Sequence, residues 1–111
     1  MAKTAEQLID WTYRNRAGVL KDRDLLDILT YFKEAADGGI VWHFESPNQE
    51  VSGIVLAKLN HSKRTAYVSY CRLIAKGLLK QAFDRFKSLY PGYTLTADRK
   101  GKAVTYNLTT K

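Results

Sequence analysis

Apolar residues recur at helical spacing through the first third of the chain, which predicts two amphipathic helices. Thr4-Ala5-Glu6-Gln7 is a capping-box pattern, so the first helix is expected to begin there and to end near Gly18 as a left-handed residue. The second is expected to begin at Asp22 or Asp24 and to end at Asp37-Gly38-Gly39. The residues expected to be buried are Ala5, Leu8, Ile9, Trp11 and Thr12 in the first helix and Leu25, Leu26, Ile28, Leu29, Phe32 and Ala36 in the second.

From Ile40 onwards the period of the pattern changes from helical to two, which is typical of strands. Residues 40–45, 51–59 and 65–70 are expected to form an antiparallel meander, with Trp42 as a core anchor and Gly53 as a bulge. The turns between them have the Ser, Pro, Asn and His-Ser-Lys composition of polar connections.

Helical spacing returns at Gly77, where a third helix is expected to begin. Its expected buried residues are Leu78, Leu79, Ala82, Phe83, Phe86 and Leu89. Strands at residues 93–97 and 103–108 follow, joined by a tight turn at residues 99–102. The predicted order is α-α-β-β-β-α-β-β in one domain, residues 1–111. The predicted fold class is α/β (α+β), a mixed, mostly antiparallel sheet with helices on both faces.

The composition fits a packed domain, since 45% of the residues are hydrophobic and 12% aromatic. No apolar run approaches the roughly 18 residues of a membrane span, and no secretory signal pattern opens the chain. Cys71 is the single cysteine, which excludes an internal disulfide and a cysteine-based zinc site. These features predict a cytoplasmic protein without a membrane partner.

Charge is distributed unevenly between the two halves. Residues 1–55 carry six Lys/Arg and nine Asp/Glu, whereas residues 56–111 carry twelve Lys/Arg and only two acids, Asp84 and Asp98. The basic half favours a polyanionic partner, either nucleic acid or a phosphorylated cofactor, or an acidic protein surface. The alternative is that these residues only solvate an outer face.

The residues best suited to bind a ligand lie where the third strand ends and the third helix begins. A helix N-terminus presents unpaired amides and a partial positive charge, which suit a pyrophosphate. Small residues at Ala75 and Gly77 let a ligand approach the backbone, and Arg72 and Lys76 can add charge-assisted hydrogen bonds. Cys71 lies beside this loop and is either a reactive thiol or a small filler of the core.

The motif Arg72-x-x-Ala75-x-Gly77 resembles the pyrophosphate loop of the GNAT acyltransferases, Gln/Arg-x-x-Gly-x-Gly/Ala. The resemblance covers most of the chain, because the predicted element order is also similar to the GNAT core. It implies a site for acetyl-coenzyme A or another acyl-coenzyme A, with amides of residues 73–78 on the pyrophosphate and the strand edge at residues 68–70 on the pantetheine arm. The residues implied at this site are Val68, Tyr70, Arg72, Leu73, Ala75, Lys76, Gly77 and Leu78.

The chain also departs from the GNAT pattern. Ala75 replaces the first glycine of the loop, the usual first strand and the helix before the sixth strand are missing, and residues 65–70 contain no carboxylate. Glu45 and His61 are available as bases but match no family position, so the catalytic residues stay unassigned. His43 is expected to be packed or at the surface.

Two functions follow from this resemblance. The first is an acyl-coenzyme A-dependent N-acyltransferase acting on an amine. The second is an inactive GNAT-like protein, similar to small proteins of tailed bacteriophages, with a role in virion assembly, nucleic-acid binding or host-protein binding. For the second, the turn at residues 99–102 with Tyr93 and Tyr106 could hold phosphates and bases, or be only a solvated hairpin tip. Self-assembly through the C-terminal edge strand is a further expectation.

Overall fold

The computed structural model describes residues 3–99 and 102–108, and its elements follow the predicted order with one short 3₁₀ helix added. The helices are α1 (Ala5–Arg14), the 3₁₀ helix Gly18–Leu20, α2 (Leu25–Ala36) and α3 (Leu78–Leu89). The strands are β1 (Ile40–Glu45), β2 (Val51–Asn60), β3 (Thr65–Leu73), β4 (Thr94–Arg99) and β5 (Lys102–Asn107). Residues 100 and 101, in the predicted turn, lie outside the described residues.

The five strands form one mixed sheet in the order β1-β2-β3-β4-β5. The first three strands are antiparallel neighbours, β4 runs parallel to β3 after the crossover through α3, and β5 returns antiparallel to β4. The α+β class and the mostly antiparallel sheet are therefore confirmed. Within the described ranges, no helix has the length and apolar character needed to cross a membrane.

Local capping explains where two of the helices begin. Thr4 accepts a hydrogen bond from the amide of Gln7, whose side chain accepts from the amide of Thr4, so the predicted capping box is confirmed. Asp24, the second of the two predicted positions, caps α2 by accepting from the amide of Asp27. Gly18 is left-handed as expected, with a φ of 60°, but it does not end the first helix: α1 already ends at Arg14, and Gly18 opens the 3₁₀ helix.

Helices cover both faces of the sheet, and alternate residues of β2 point to these two faces. Ile54 and Leu56 pack with residues of α1 and α2, and we call this side the α1/α2 face. Val55 and Ala57 pack with Ala82 and Phe86 of α3, and we call this side the α3 face. The predicted core anchor Trp42 lies on the α3 face with its ring centroid 4.6 Å from that of Phe86, whereas Trp11 is only half-buried.

The helices bury narrower stripes than the sequence pattern predicted. Only Ile28, Phe32 and Ala35 of α2 are buried, and only Leu78, Ala82 and Phe86 of α3. Each helix contacts the sheet on one side only. Residues spaced three and four apart form one stripe that faces the core, whereas the apolar residues beside this stripe do not face it. The predicted core residues that are exposed are Ala5, Leu25, Leu26, Ala36, Leu79 and Leu89.

The strands also differ from the predicted ones in length and in the position of bulges. The third strand extends three residues further, to Leu73, because β2 continues to pair with it. Gly53 pairs in register and the irregularity falls on its neighbour Ser52. A Cβ at Gly53 would lie 2.7 Å from Leu73 Cδ2 and 3.2 Å from Leu78 Cδ1, so glycine is needed here for close packing and not for a bulge.

Gly39 joins α2 to β1 at the tightest point of the fold, and we expect Gly39→Ala to destabilise the protein by about 3 kcal/mol. A Cβ there would lie 2.3 Å from the carbonyl oxygen of Ala57 and 2.6 Å from that of Ala35, and neither backbone group can move without separating α2 from β2. Gly38→Ala is the matched control, since its Cβ would meet nothing within 4 Å and only its positive φ of 75° costs energy, about 1 kcal/mol. Urea unfolding of both variants measures the difference, and equal losses of stability would contradict the packing argument.

Candidate functional site

The sheet opens between its two parallel strands. Pairing of β3 with β4 covers only four residue pairs and ends at Val68 with Ala97. Beyond this point β3 continues to Leu73 in register with β2, and β4 continues to Arg99 in register with β5. The facing edges of β3 and β4 are therefore not paired with each other after residues 68 and 97, and we call this unpaired region the β3–β4 gap.

A bulge in β3 marks the beginning of the gap. Leu56 pairs with Tyr70 and the next residue, Ala57, pairs with Val68, so Ser69 is the additional residue. The hydroxyl of Ser69 donates a hydrogen bond of 3.2 Å to the Leu56 carbonyl. Because a bulge shifts the alternation of side chains by one, Tyr67 and Tyr70 both project from the α1/α2 face.

The connection from β3 to α3 lies at the same end of the sheet as the gap. Gly77 is the N-cap of α3 with a φ of 86°, a left-handed conformation that favours glycine. Within the described part of the chain no side chain caps this helix, in contrast to α1 and α2, and the amide of Leu78 donates a turn hydrogen bond of 3.5 Å to the Ala75 carbonyl. The amides of its first turn are thus free of side-chain partners and open to an anion.

The side chains of the predicted site residues divide between the two faces of the sheet. Val68 and Leu73 are partly buried on the α3 face, and Leu78 is buried over Gly53. Ala75, Lys76 and Gly77 are exposed on the connecting loop. These residues therefore share a stretch of backbone at this end of the sheet, but their side chains do not form one cluster.

Arg72 and Tyr70 lie away from the loop, on the α1/α2 face. The guanidinium Nε of Arg72 donates a hydrogen bond of 3.2 Å to the carbonyl oxygen of Asn15, just after α1. The hydroxyl of Tyr70 is buried in the core and meets no hydrogen-bond partner of good geometry among the described residues, and desolvation, only partly offset by the nearby backbone of Ala17, raises its pKa. Arg72 therefore links β3 to the end of α1, and its Nε is already engaged there.

A carboxylate that the sequence pattern did not single out lies at the gap. Asp98 follows Ala97, the last residue of β4 that pairs with β3, and its Oδ2 accepts a hydrogen bond of 2.9 Å from the Tyr67 hydroxyl. This hydrogen bond to the carboxylate raises the pKa of Tyr67. Sequence alone could have shown only that Asp98 is one of two acids in the basic half, because the register that brings it to Tyr67 is a tertiary feature.

The other candidate acid–base residues lie away from the gap. Nδ1 of His61 is 2.6 Å from the Tyr93 hydroxyl at the turn before β3, which is the opposite end of the sheet. His43 Nε2 pairs with Glu45 Oε2 at 2.7 Å on the outer strand β1, and this contact lowers the pKa of Glu45. Among the described residues, no group of His, Cys, Asp and Glu could hold a metal ion.

Two basic side chains of α3 lie over aromatic rings. The guanidinium carbon of Arg85 lies 4.4 Å from the centroid of the Trp42 ring, and Lys87 Nζ lies 5.3 Å from that of Phe83. Lys80 forms an ion pair of 2.8 Å with Asp84, its neighbour one turn along the helix. The α3 side of the molecule is therefore positively charged.

Two concave surfaces of the described part of the chain lie apart from the gap. An apolar depression of about 430 Å³ separates α1 and α2 beside Val41. A shallower one of about 310 Å³ lies between α1 and the beginning of β2. Neither includes a residue of β3, β4 or the loop before α3.

Comparison with known proteins returned no match to a family model, to a curated protein or to a solved structure.

The thiol of Cys71 is expected to react slowly for a residue at the surface. Although the residue as a whole is exposed, desolvation raises the pKa of the thiol from 9.0 to about 11, so at pH 8 the thiolate is roughly 100-fold scarcer than in an ordinary cysteine. The measurement is the rate of alkylation by iodoacetamide from pH 7 to pH 11, with the protein unfolded in urea as the matched control. We expect the folded protein to react at least about 10-fold more slowly at pH 8, and an inflection below pH 9 would contradict this desolvation.

Proposed function

We propose that the chain is a GNAT-like domain that binds acyl-coenzyme A and transfers its acyl group to an amine. The observation that carries this proposal is the β3–β4 gap. Two parallel neighbouring strands that stop pairing after residues 68 and 97 leave unpaired backbone groups on β3, which can form hydrogen bonds with an extended amide chain such as pantetheine.

The neighbouring loop supports the same proposal. An extended ligand in the gap would end near Gly77, where the uncapped first turn of α3 offers amides to a pyrophosphate. A Cβ at Gly77 would meet nothing within 4 Å, so the backbone is accessible from outside. Lys76 is exposed on the same loop and provides a positive charge near that position.

Arg72 has a different role in this proposal from the one that the motif implies. Because its Nε donates to the Asn15 carbonyl on the α1/α2 face, we assign Arg72 to the support of β3 and not to the pyrophosphate. The anion would then be held by backbone amides of residues 73–78 together with Lys76. The methyl group of Ala75 lies on the exposed side of the loop, beside these amides.

The chemistry would depend mainly on positioning. An amine that attacks a bound thioester needs the carbonyl carbon at a fixed place and a hydrogen-bond donor for the developing oxyanion. The unpaired amides at the bulge of β3 around Ser69 are suitable donors, because a bulge turns backbone groups out of the ladder.

A second candidate, binding of a polyanion without catalysis, is favoured by the surface of α3. Lys80, Arg85 and Lys87 lie along it, and the one carboxylate among them, Asp84, is paired with Lys80. Nucleic-acid binding through this face would weaken steeply with salt, because each phosphate contact releases counterions. Competition by free coenzyme A but little by duplex DNA would favour the first candidate.

Calorimetric titration with acetyl-coenzyme A tests the proposal directly, and we expect micromolar binding that Gly77→Glu weakens by at least about 10-fold. A carboxylate at this position opposes the pyrophosphate at the first turn of α3. Gly77→Ala is the matched control, because it has the same strained φ of 86° and adds no charge. We expect it to bind within a few-fold of the unmodified protein.

Two results would overturn the proposal. One is an absence of binding at millimolar acetyl-coenzyme A. The other is an equal loss of affinity in Gly77→Glu and Gly77→Ala, which would show that backbone strain and not charge controls binding.

A further inference from the structure

Asp98 and Tyr67 form the only hydrogen bond between side chains of β3 and β4 in the described part of the chain. They join the two strands where the ladder between them ends, since Ala97 is the last residue of β4 paired with β3. β3 contains no acid, so Asp98 is the single carboxylate on the two strands that border the gap.

The pair lies on the face opposite α3. Tyr67 pairs with Thr96, and Asp98 lies two residues beyond Thr96 on the same side of β4. That side is the α1/α2 face, because Tyr67 is also opposite Lys58, whose Nζ is 2.8 Å from Glu34 of α2. A group in the gap would therefore be reached by α3 from one face and by Asp98 from the other.

The hydrogen bond leaves Asp98 able to accept a proton. It uses Oδ2 and the hydroxyl hydrogen of Tyr67, and none of the described residues donates a hydrogen bond to the second oxygen, Oδ1. Asp98 is exposed, so an ammonium group can approach it from solvent.

We propose that Asp98, oriented by Tyr67, is the general base that deprotonates the acceptor amine at the β3–β4 gap. This inference rests on the proposed function, and it assigns the base to a residue of the gap, whereas the sequence candidates Glu45 and His61 lie away from it. The acceptor class that fits is a primary amine that is protonated at neutral pH, since only such an acceptor needs a base before it can attack.

The reaction consists of a proton transfer to Asp98, attack of the amine on the thioester and departure of the thiolate. Asp98 Oδ1 takes one proton from the ammonium, and the freed lone pair of nitrogen forms a bond to the thioester carbonyl carbon while the C=O π electrons move to oxygen. When the carbonyl reforms, the C–S bond breaks and its electrons leave with sulfur. The thiolate takes the second proton lost by nitrogen, which gives the amide and free coenzyme A, and Asp98 returns its proton to solvent.

Two small acceptors distinguish a base from a residue that only supports the strands. Ethanolamine is protonated at neutral pH, whereas hydroxylamine is uncharged and needs no base. With acetyl-coenzyme A as donor and thiol release as the signal, we expect Asp98→Asn to slow transfer to ethanolamine by about 100-fold or more and to leave transfer to hydroxylamine within a few-fold of the unmodified protein. Asparagine keeps an oxygen that can accept from Tyr67, so the fold is preserved.

Asp84→Asn is the matched control, because it removes the other acid of the basic half from a position paired with Lys80 on α3. We expect it to change neither rate. Tyr67→Phe should slow transfer to ethanolamine less than Asp98→Asn does, because the carboxylate is retained and only its orientation is lost. Calorimetry with acetyl-coenzyme A should give the same affinity for all three variants.

Failure of this inference differs from failure of the proposed function. If the unmodified protein binds no acetyl-coenzyme A, both are overturned. If it binds and transfers, but Asp98→Asn has no effect or slows both acceptors equally, only the role of Asp98 is overturned. Binding without transfer to either acceptor would also overturn it, since there would be no reaction for a base to assist.

Discussion

Burial of β2 on both faces is the constraint on which the rest of the structure depends. Residues 52–57 of this strand are all buried, and their alternate side chains belong to two separate cores. A strand covered in this way needs helices above and below it, so α1 and α2 must lie on one face and α3 on the other. The crossover of α3 in turn makes β4 parallel to β3, the one parallel pair of the sheet.

This arrangement leaves the two halves of the sheet weakly joined. β1, β2 and β3 are connected by long antiparallel ladders and β4 and β5 by a full hairpin, whereas β3 and β4 share only four residue pairs. The bulge at Ser69 increases the local twist of β3 where these pairs end. The gap is therefore a consequence of how the two halves meet, and the Tyr67–Asp98 hydrogen bond stabilises that junction.

The charge near the gap depends on the two acids in the second half of the chain, Asp84 and Asp98. Asp84 forms an ion pair with Lys80 on α3, and Asp98 accepts a hydrogen bond from the Tyr67 hydroxyl on the opposite face. Arg72 is engaged with the Asn15 carbonyl and strengthens the contact between β3 and α1. At this end of the sheet, the groups suited to contact a phosphate are the backbone amides in the first turn of α3 and the exposed side chain of Lys76.

The sequence by itself determined the elements and their order, because caps such as Thr4 and Asp24, the change of period at Ile40 and the left-handed Gly77 act over a few residues. It also predicted a connecting loop between the third strand and the third helix. Only the tertiary structure decided which apolar residues face a core, as the exposed Leu26 and Leu79 show, and where Arg72 and Asp98 find partners. The reason is physical: propensity and capping are local, whereas strand register and helix rotation are set by contacts between residues far apart in the chain.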